Sequence, residues 1–527
     1  MAWSPHYTID ELVSELEQFE FPERFWFGTS TSGYQSEGGH NGHDDPKNNW
    51  YYAEQEGKVE VTGDGTRFWD LYKEDIEYAA MMGCNAFRMG LEWSRIQPVA
   101  DPEARTPPVF DTTAIDRYAD MIALCQQRGM MPAITLFHWT SPLWLGTDPW
   151  LDRHKAIDGF VEYIEKAVVG INNRLVNVHK TEPIPYFITM NEPAAMPMAT
   201  YLGRVFPMGK GKGGRRDFLT VFENLLIAHI MAYEKVHELY RQHGWKAPTV
   251  TMNPWASGVY SSDLMLLDIL SAPREGVEQD TLPGYLHYRK GEFYRATDTF
   301  PYRSRQGPAQ RMMEWAFKGV AHRIFGKNPF PNLVETVYSR GNNISPWLDV
   351  MSFDFYDPFP GNYLETGWFR VRMNMEPWDW GVSPDCLGGF LDLYQQAVKE
   401  RPIHILENGM AYAQKDSDAE LRRDGANRID VLKAHLFECI RARNQGVPLE
   451  AFFYWTICDN YEWGSFTPRF GMLNVDYQNG ARRKPTDAVG NNVAGAYQAI
   501  VKAFFAKDKD ALKEAFLADE YPLLFEE

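Results

Sequence analysis

Two glutamates close short apolar runs. Glu192 ends the run Pro185-Tyr-Phe-Ile-Thr-Met-Asn-Glu192, and Glu407 ends Pro402-Ile-His-Ile-Leu-Glu407. Runs of this length, rich in β-formers and bounded by proline or glycine, read as buried strands. A carboxylic acid just past such a strand lies where a parallel sheet opens its active site. Two carboxyls on opposite sides of an acetal can divide the work of cutting it. One gives a proton to the leaving oxygen, and the other attacks carbon or activates water. A separation of about 5–5.5 Å gives a covalent intermediate and retention; about 6.5–9.5 Å admits a water and gives inversion. The competing reading of each glutamate is a structural carboxylate paired with arginine.

These side chains need a frame. Strand-like runs occur at 25–31, 85–93, 132–139, 185–191, 249–255, 349–355, 403–407 and 451–457. Amphipathic stretches at 67–82, 113–128, 155–173, 218–243, 385–400 and 427–444 lie between them, several followed by glycine (Gly83, Gly129, Gly244, Gly446) as a left-handed helix end requires. Eight β/α alternations predict an α/β fold: a single (β/α)8 TIM barrel spanning residues 1–527, with long βα-loop insertions at 257–305 and 362–384 that wall the cleft. An open doubly wound sheet would want a glycine-rich turn after its first strand, and Thr29-Ser-Thr-Ser-Gly-Tyr-Gln35 is not one. Gly209-Lys-Gly-Lys-Gly-Gly214 follows no strand and lacks the Lys-Ser/Thr ending of a phosphate loop, so it reads as a surface loop. The tail from Lys507 is charged and then apolar at 521–525, and its docking is left open by the sequence.

Bulk properties remove several function classes. A net charge of −18 is wrong for a nucleic-acid partner. The five cysteines are scattered, with no Cys-x-x-Cys pair, and read as reduced core residues of a cytoplasmic protein. The N-terminus lacks the charge and apolar run of a signal peptide, and no apolar run reaches the ~18 residues of a membrane span. Aromatic residues make up 14% of the chain, including 17 Trp. Such faces suit the C–H faces of sugars, although a large barrel also buries many for packing alone.

Seven of the eight strands end in groups able to grip or act on a polyol: Gln35 and Glu37; Arg88 and Trp93; His138 and Trp139; Asn191 and Glu192; Asp354 and Tyr356; Glu407 and Asn408; Trp455, Asp459, Glu462 and Trp463. Only the fifth strand shows none. Glu37 and Glu92 read as structural. His237 and His243 lack the i, i+4 spacing of a zinc pair, so neither a metal nor another cofactor is expected.

In these residues the chain resembles glycoside hydrolase family 1, the retaining β-glucosidases and β-galactosidases. The matches are Thr189-Met-Asn-Glu-Pro193, Leu406-Glu-Asn-Gly409, Phe25-Trp-Phe-Gly-Thr-Ser-Thr-Ser-Gly-Tyr-Gln-Ser-Glu-Gly38, Phe87-Arg-Met-Gly-Leu-Glu-Trp-Ser-Arg-Ile96, Phe137-His-Trp139, and Asp459-Asn-Tyr-Glu-Trp463 followed by Arg469-Phe-Gly471. The resemblance implies that Glu192 is the acid/base and Glu407 the nucleophile. It implies that Arg88 and Tyr356 keep Glu407 ionised, and that Asn191 bonds the sugar 2-hydroxyl. Gln35, His138, Trp139, Trp455, Glu462 and Trp463 would line the subsite for the non-reducing sugar. Glu462 further implies a sugar with free O4 and O6, since a carboxylate there repels a 6-phosphate. Two departures stand out: Leu406 replaces the usual Thr, and Asp354 replaces the usual Asn, a possible modulator that adds a third carboxyl.

The resemblance therefore implies a retaining β-glycosidase acting on terminal non-reducing β-D-glucosyl residues, with β-galactosyl and β-fucosyl residues alongside, through a covalent glycosyl-enzyme. Its partner would be a small-molecule β-glycoside, with no nucleic acid and no membrane, and the sequence is silent on oligomeric state. A transglycosylase would use the same intermediate, and a non-catalytic sugar-binding barrel would lack one of the glutamates.

Overall fold

The computed structural model describes residues 4, 6–326, 329–340, 346–357, 376–399, 401–415 and 418–526. All eight expected strands are present: β1 (Trp26–Ser30), β2 (Ala86–Gly90), β3 (Met131–Thr135), β4 (Tyr186–Asn191), β5 (Thr249–Asn253), β6 (Met351–Phe355), β7 (Ile403–Asn408) and β8 (Leu449–Trp455). They pair in parallel in the order β5-β4-β3-β2-β1-β8-β7-β6. The end strands β5 and β6 also meet. Asp349 N–H donates to Val250 O, Asp354 N–H to Pro254 O and Ala256 N–H to Asp354 O (2.9–3.0 Å), and Trp255 bridges Asp354. The barrel thus closes along a seam with a sparser ladder than its other junctions.

The strands read so clearly because parallel strands are buried on both faces and become continuous apolar runs. Every residue of β2, β4, β6 and β7 is buried. The barrel interior is packed by Ala86, Ala133, Tyr186, Ile188, Leu406 and Phe453, among others, with Trp26 and Met131 at the rim of this cluster. Leu406 therefore serves the barrel core, and its carbonyl accepts from Ser30 Oγ (3.1 Å). A much larger core lies between the strands and the surrounding helices.

Those helices are α1 (Phe68–Met81), α2 (Thr112–Gln127), α3 (Arg153–Arg174), α4 (Arg215–His243), α5 (Pro331–Ser339), α6 (Leu387–Ala397), α7 (Arg428–Asn444) and α8 (Val493–Phe505). The sequence reading found six of them and missed α5 and α8. Side-chain caps start several: Asp111 accepts from Thr113 N–H (2.7 Å), and Asn427 from Asp430 N–H (3.0 Å). Gly83, Gly129, Gly244 and Gly446 all take the expected left-handed conformation, with φ from +67° to +90°.

Several strands end short of their apolar runs, β2 and β3 most clearly. After β2 the Glu92 side chain accepts from Ser94 N–H (3.3 Å) and turns the chain into a short helix, Trp93–Ile96. Trp93 is consequently buried and stacks on Tyr163 with ring centroids 5.2 Å apart, so it packs the helix layer rather than the cleft.

The segment between β5 and β6 builds its own helices, Leu264–Ser271, Leu282–Thr297 and Pro308–Phe325, and the first of these packs on α5 and α6. Of the insertion expected at 362–384, residues 362–375 lie outside the described residues. The C-terminal tail docks: Lys509–Leu517 is a helix, Leu524 is buried, and Phe525 stacks on Tyr78 at 4.4 Å. The loop at 209–214 is pinned through Gly209 N–H to Asp148 (2.9 Å) and Gly214 N–H to Tyr201 O (2.7 Å). No helix among the described residues is long and apolar enough to cross a membrane.

Candidate active site

The C-terminal ends of the strands bring the expected groups together. Glu192 follows β4 directly, in a left-handed conformation (φ +40°), with its N–H bonded to Asn253 O (2.9 Å). Trp139 and Trp463 at the mouth also have positive φ, +70° and +53°. Non-glycine residues in this region carry backbone strain, which concentrates at working sites.

Glu407 ends β7 inside a fixed frame. Arg88, wholly buried on β2, donates Nη1–H to Glu407 Oε1 (2.5 Å) and also to the Leu406 carbonyl (3.2 Å). Tyr356, just past β6, donates its O–H to Glu407 Oε2 (2.8 Å). Gly409 is required two residues on. A Cβ there would lie 2.2 Å from Trp455 O, so only glycine lets β7 run this close to β8.

An oxygen each from Glu192, Glu407 and Asp354 lies within 4.8 Å of the others. At this spacing carboxylates share a cation or a proton, and the Arg88 guanidinium already supplies a cation. The surroundings of the two glutamates differ. Burial pushes the Glu407 carboxyl up, and Arg88 and the Tyr356 hydroxyl pull it partway back. Burial and then the Glu407 charge drive Glu192 well above the usual carboxylate range, against a smaller opposing pull from Arg88. No hydrogen-bond donor among the described residues reaches the Glu192 carboxyl. Glu407 therefore ionises first, and Glu192 keeps its proton.

Around this pair Asn191 Oδ1 accepts from Arg88 Nη2 (2.6 Å) and Asn253 Nδ2 (2.7 Å). Asn191 Nδ2 turns toward His138 Nε2 (3.4 Å). Burial and Arg88 push the His138 imidazole well below its ordinary range, so it is neutral, and its ring stacks on Trp455 (5.6 Å). Trp139 Nε1–H anchors on Asn191 O (3.1 Å), with its ring 6.2 Å from Trp463. Trp455 Nε1–H donates to Glu462 Oε1 (2.7 Å), and Gln35 stands beside them with its Nε2–H on Tyr461 O (2.9 Å). Burial pushes the Glu462 carboxyl up to about 8.

Other strand-end residues fall outside the cleft chemistry. Glu37 binds Arg95 (2.6 Å) and the Tyr118 hydroxyl (2.6 Å), and Glu92 binds Thr140 (2.7 Å), both structural as expected. Asp459 accepts from Gly471 N–H (2.8 Å) and faces Arg469, so it shapes the loop after β8. His237 pairs with Asp349 (2.9 Å) on the outer helix layer.

Two contributors escaped the sequence reading. Asn253 ends β5 in register with Asn191 and links it to Asp354, so the fifth strand does supply a polar group. Its signal was the asparagine of Thr251-Met-Asn-Pro254 at the same strand-end position as Asn191. Trp380 lies 5.9 Å from the Tyr356 ring and 5.7 Å from Trp463, and it comes from an irregular loop with no periodicity to announce it.

Comparison with known proteins agrees with this geometry. The chain is 26% identical over 469 residues to "Beta-glucosidase A" of Thermotoga maritima, covering 87% of this chain and 94% of that protein. It is 25% identical over 480 residues to "6-phospho-beta-galactosidase 1" of Streptococcus pneumoniae, covering 88% and 96%. The solved structure of the Thermotoga maritima β-glucosidase in complex with noeuromycin superimposes with a TM-score of 0.63 at 21% identity, covering 92% of this chain and 98% of that one. These relatives act on O-glycosyl bonds. The sequence profile described as "Glycosyl hydrolase family 1" matches residues 17–261 and 365–501, and the chain belongs to that family.

Proposed function

We propose that this β-glycosidase removes terminal non-reducing β-D-glucosyl residues with retention, accepting β-galactosyl and β-fucosyl residues alongside. The observation that carries this reading is the pair Glu192 and Glu407, with oxygens within 4.8 Å of each other and environments that favour opposite protonation states. That spacing is shorter than the ~6.5–9.5 Å of inverting pairs.

In the first step the Glu407 carboxylate forms a bond to the anomeric carbon while the glycosidic C–O bond breaks and Glu192 gives its proton to the leaving oxygen. The ester removes the Glu407 charge, which is the second-largest influence holding the Glu192 proton. Glu192, now ionised, takes a proton from water as the water oxygen bonds to the anomeric carbon and the ester C–O bond breaks. Both carboxyls return to their starting states. Arg88 and Tyr356 hold Glu407, and Asn191, fixed by Arg88 and Asn253, meets the sugar 2-hydroxyl. Trp455, Trp463, Trp139, His138, Gln35 and Glu462 form the wall for the rest of the ring.

The Glu462 environment favours a sugar with free hydroxyls over a 6-phosphorylated one. Its hydrogen-bonding partners are an indole N–H and an amide, with no Lys or Arg among them to balance a phosphate dianion. The five buried cysteines, none in a disulfide, support a reducing compartment.

A panel of aryl β-glycosides with wild type, Glu192→Gln and Glu407→Gln tests the reading. Both variants are expected to lose activity by more than ~100-fold. Azide is expected to rescue Glu407→Gly as the α-glycosyl azide, formed by direct displacement. Full activity in Glu407→Gln removes the proposal.

A further inference from the structure

The cleft holds one carboxyl more than this reaction uses. Asp354 lies in register with Glu407 across the β6–β7 pair and is fully buried. Its hydrogen bonding differs from that of its neighbour. Glu407 receives a guanidinium and a phenol, one on each oxygen. Asp354 receives a single neutral amide N–H, from Asn253 on Oδ2, and Oδ1 has no hydrogen-bond partner among the described residues. An ionised carboxylate presents about four acceptor sites, and a buried one without a cation or several donors is strongly disfavoured.

The nearby cation makes no hydrogen bond to Asp354 among the described residues. Arg88 commits Nε to Thr135 Oγ1 (3.0 Å), Nη1 to Glu407 and Leu406 O, and Nη2 to Asn191. The other groups facing Asp354 are Glu192 just past β4, Asn253 from β5, Tyr356 just past its own strand, Glu407 from β7 and, behind it, Tyr394 of α6, whose hydroxyl is held by Asp263. Burial and the Glu407 charge act together against a second anion here and outweigh the opposing pull of Arg88.

We propose that Asp354 is a positioning residue that holds the second of two protons in a cluster of three carboxyls and one arginine. The proposal rests on the roles given above to Glu192 and Glu407. With protons on Glu192 and Asp354, the Arg88 and Glu407 charges cancel and the buried cluster is neutral. It stays neutral through glycosylation. Glu407 loses its charge to the ester as Glu192 gives up its proton, leaving Arg88 opposite Glu192, while Asp354 keeps its proton throughout.

The neutral acid also completes a line of contacts. Asn253 Nδ2 gives one hydrogen to Asp354 and the other to Asn191 Oδ1, so Asp354 fixes the amide that fixes Asn191. The usual asparagine at this position is neutral without a proton, whereas Asp354 reproduces that neutrality only while protonated. Glu192 and Asp354 thereby become a coupled pair whose protons leave in two macroscopic steps as pH rises.

Infrared difference spectroscopy of wild type minus Asp354→Asn at pH 7 reads the proton directly and needs no turnover. A carboxylic-acid C=O band that is present in wild type and missing in the variant is the expected result. A carboxylate stretch in its place overturns the proposal. The pH dependence of kcat/KM on an aryl β-glucoside reads the positioning role. Wild type is expected to lose activity at alkaline pH with a slope approaching two protons, and Asp354→Asn with a slope of one. Superimposable alkaline limbs overturn the coupling. Wild type inactive on every β-glycoside would instead sink the reading of Glu192 and Glu407 and leave the infrared result standing.

Discussion

Removing the Tyr356 hydroxyl isolates one of the two contacts that favour an ionised Glu407, the nucleophile of the proposed mechanism. In Tyr356→Phe the ring stays between Trp380 and Phe470, each 5.9 Å away, so packing is kept. Only the 2.8 Å hydrogen bond to Glu407 Oε2 is lost, while Arg88 remains on Oε1 at 2.5 Å. A hydrogen bond to a charged group contributes about 1.5–3 kcal/mol, and a pH unit corresponds to about 1.36 kcal/mol. The bond stabilises the anion, so its loss raises the Glu407 pKa, and the acid limb of kcat/KM moves up by about 1–2 pH units. The alkaline limb, which reports Glu192 together with Asp354, moves much less. The assay is kcat/KM for an aryl β-glucoside from pH 4 to 9, with thermal midpoints recorded to confirm equal folding. An unmoved acid limb in a folded variant would refute the assignment of Glu407 as the group that must be ionised.

Two further outcomes follow from residues beside and away from the chemistry. Gly409→Ala places a methyl 2.2 Å from Trp455 O; β7 must shift, and a loss of activity larger than the drop in thermal midpoint is expected, measured by kcat/KM beside calorimetry. Glu438 on α7 is buried beside Arg441 (2.7 Å), and burial lifts its carboxyl to about 8. The native state therefore holds a proton that the unfolded chain releases near pH ~4.3, so this group's stabilising contribution drains away as pH rises, by about 1.4 kcal/mol per unit, until about pH 8. Glu438→Gln cannot titrate. Its urea midpoint should fall less than that of wild type between pH 5 and 8, and parallel curves would contradict the argument.

The strands and most helices were legible because their physics is local. Burial on both faces makes β2, β4, β6 and β7 continuous apolar runs, and left-handed glycines end the helices. Strand ends were overread where apolar residues continue for another reason. Trp93 is hydrophobic because it meets Tyr163, not because the sheet continues. Helix α5 is only nine residues long, too short for a clear helical period, and α8 lies in the last turn of the barrel, where no strand follows to mark it. The glutamates at 192 and 407 were legible from motif and position, and the structural reading of Glu37 and Glu92 fits the Glu37–Arg95 ion pair and the Glu92–Thr140 hydrogen bond. The linking role of Asn253 was not, because it depends on what two neighbouring strands present at the same height. The family profile passes over residues 262–364, which include Asp354 and Tyr356, so these two rest on the resemblance of the short segment at 352–356 and on the alternation that places β6.

The sparse seam between β5 and β6 has a consequence for how this barrel could change. Those two strands flank the segment the family profile skips, and the Asn253–Asp354 contact crosses their junction. A clasp made of active-site side chains lets a stretch of chain lengthen between its two halves while the other seven junctions keep their ladders. Newly acquired sequence can then accumulate beside the cleft without passing through an unfolded barrel. Selection for catalysis would also hold the ring shut, since a mutation that springs the clasp spoils the floor beneath the sugar. The same junction is the natural place to cut the chain and rejoin its ends elsewhere. A permuted protein opened there would keep its closure for as long as the backbone hydrogen bonds of the seam and the Asn253–Asp354 contact still form.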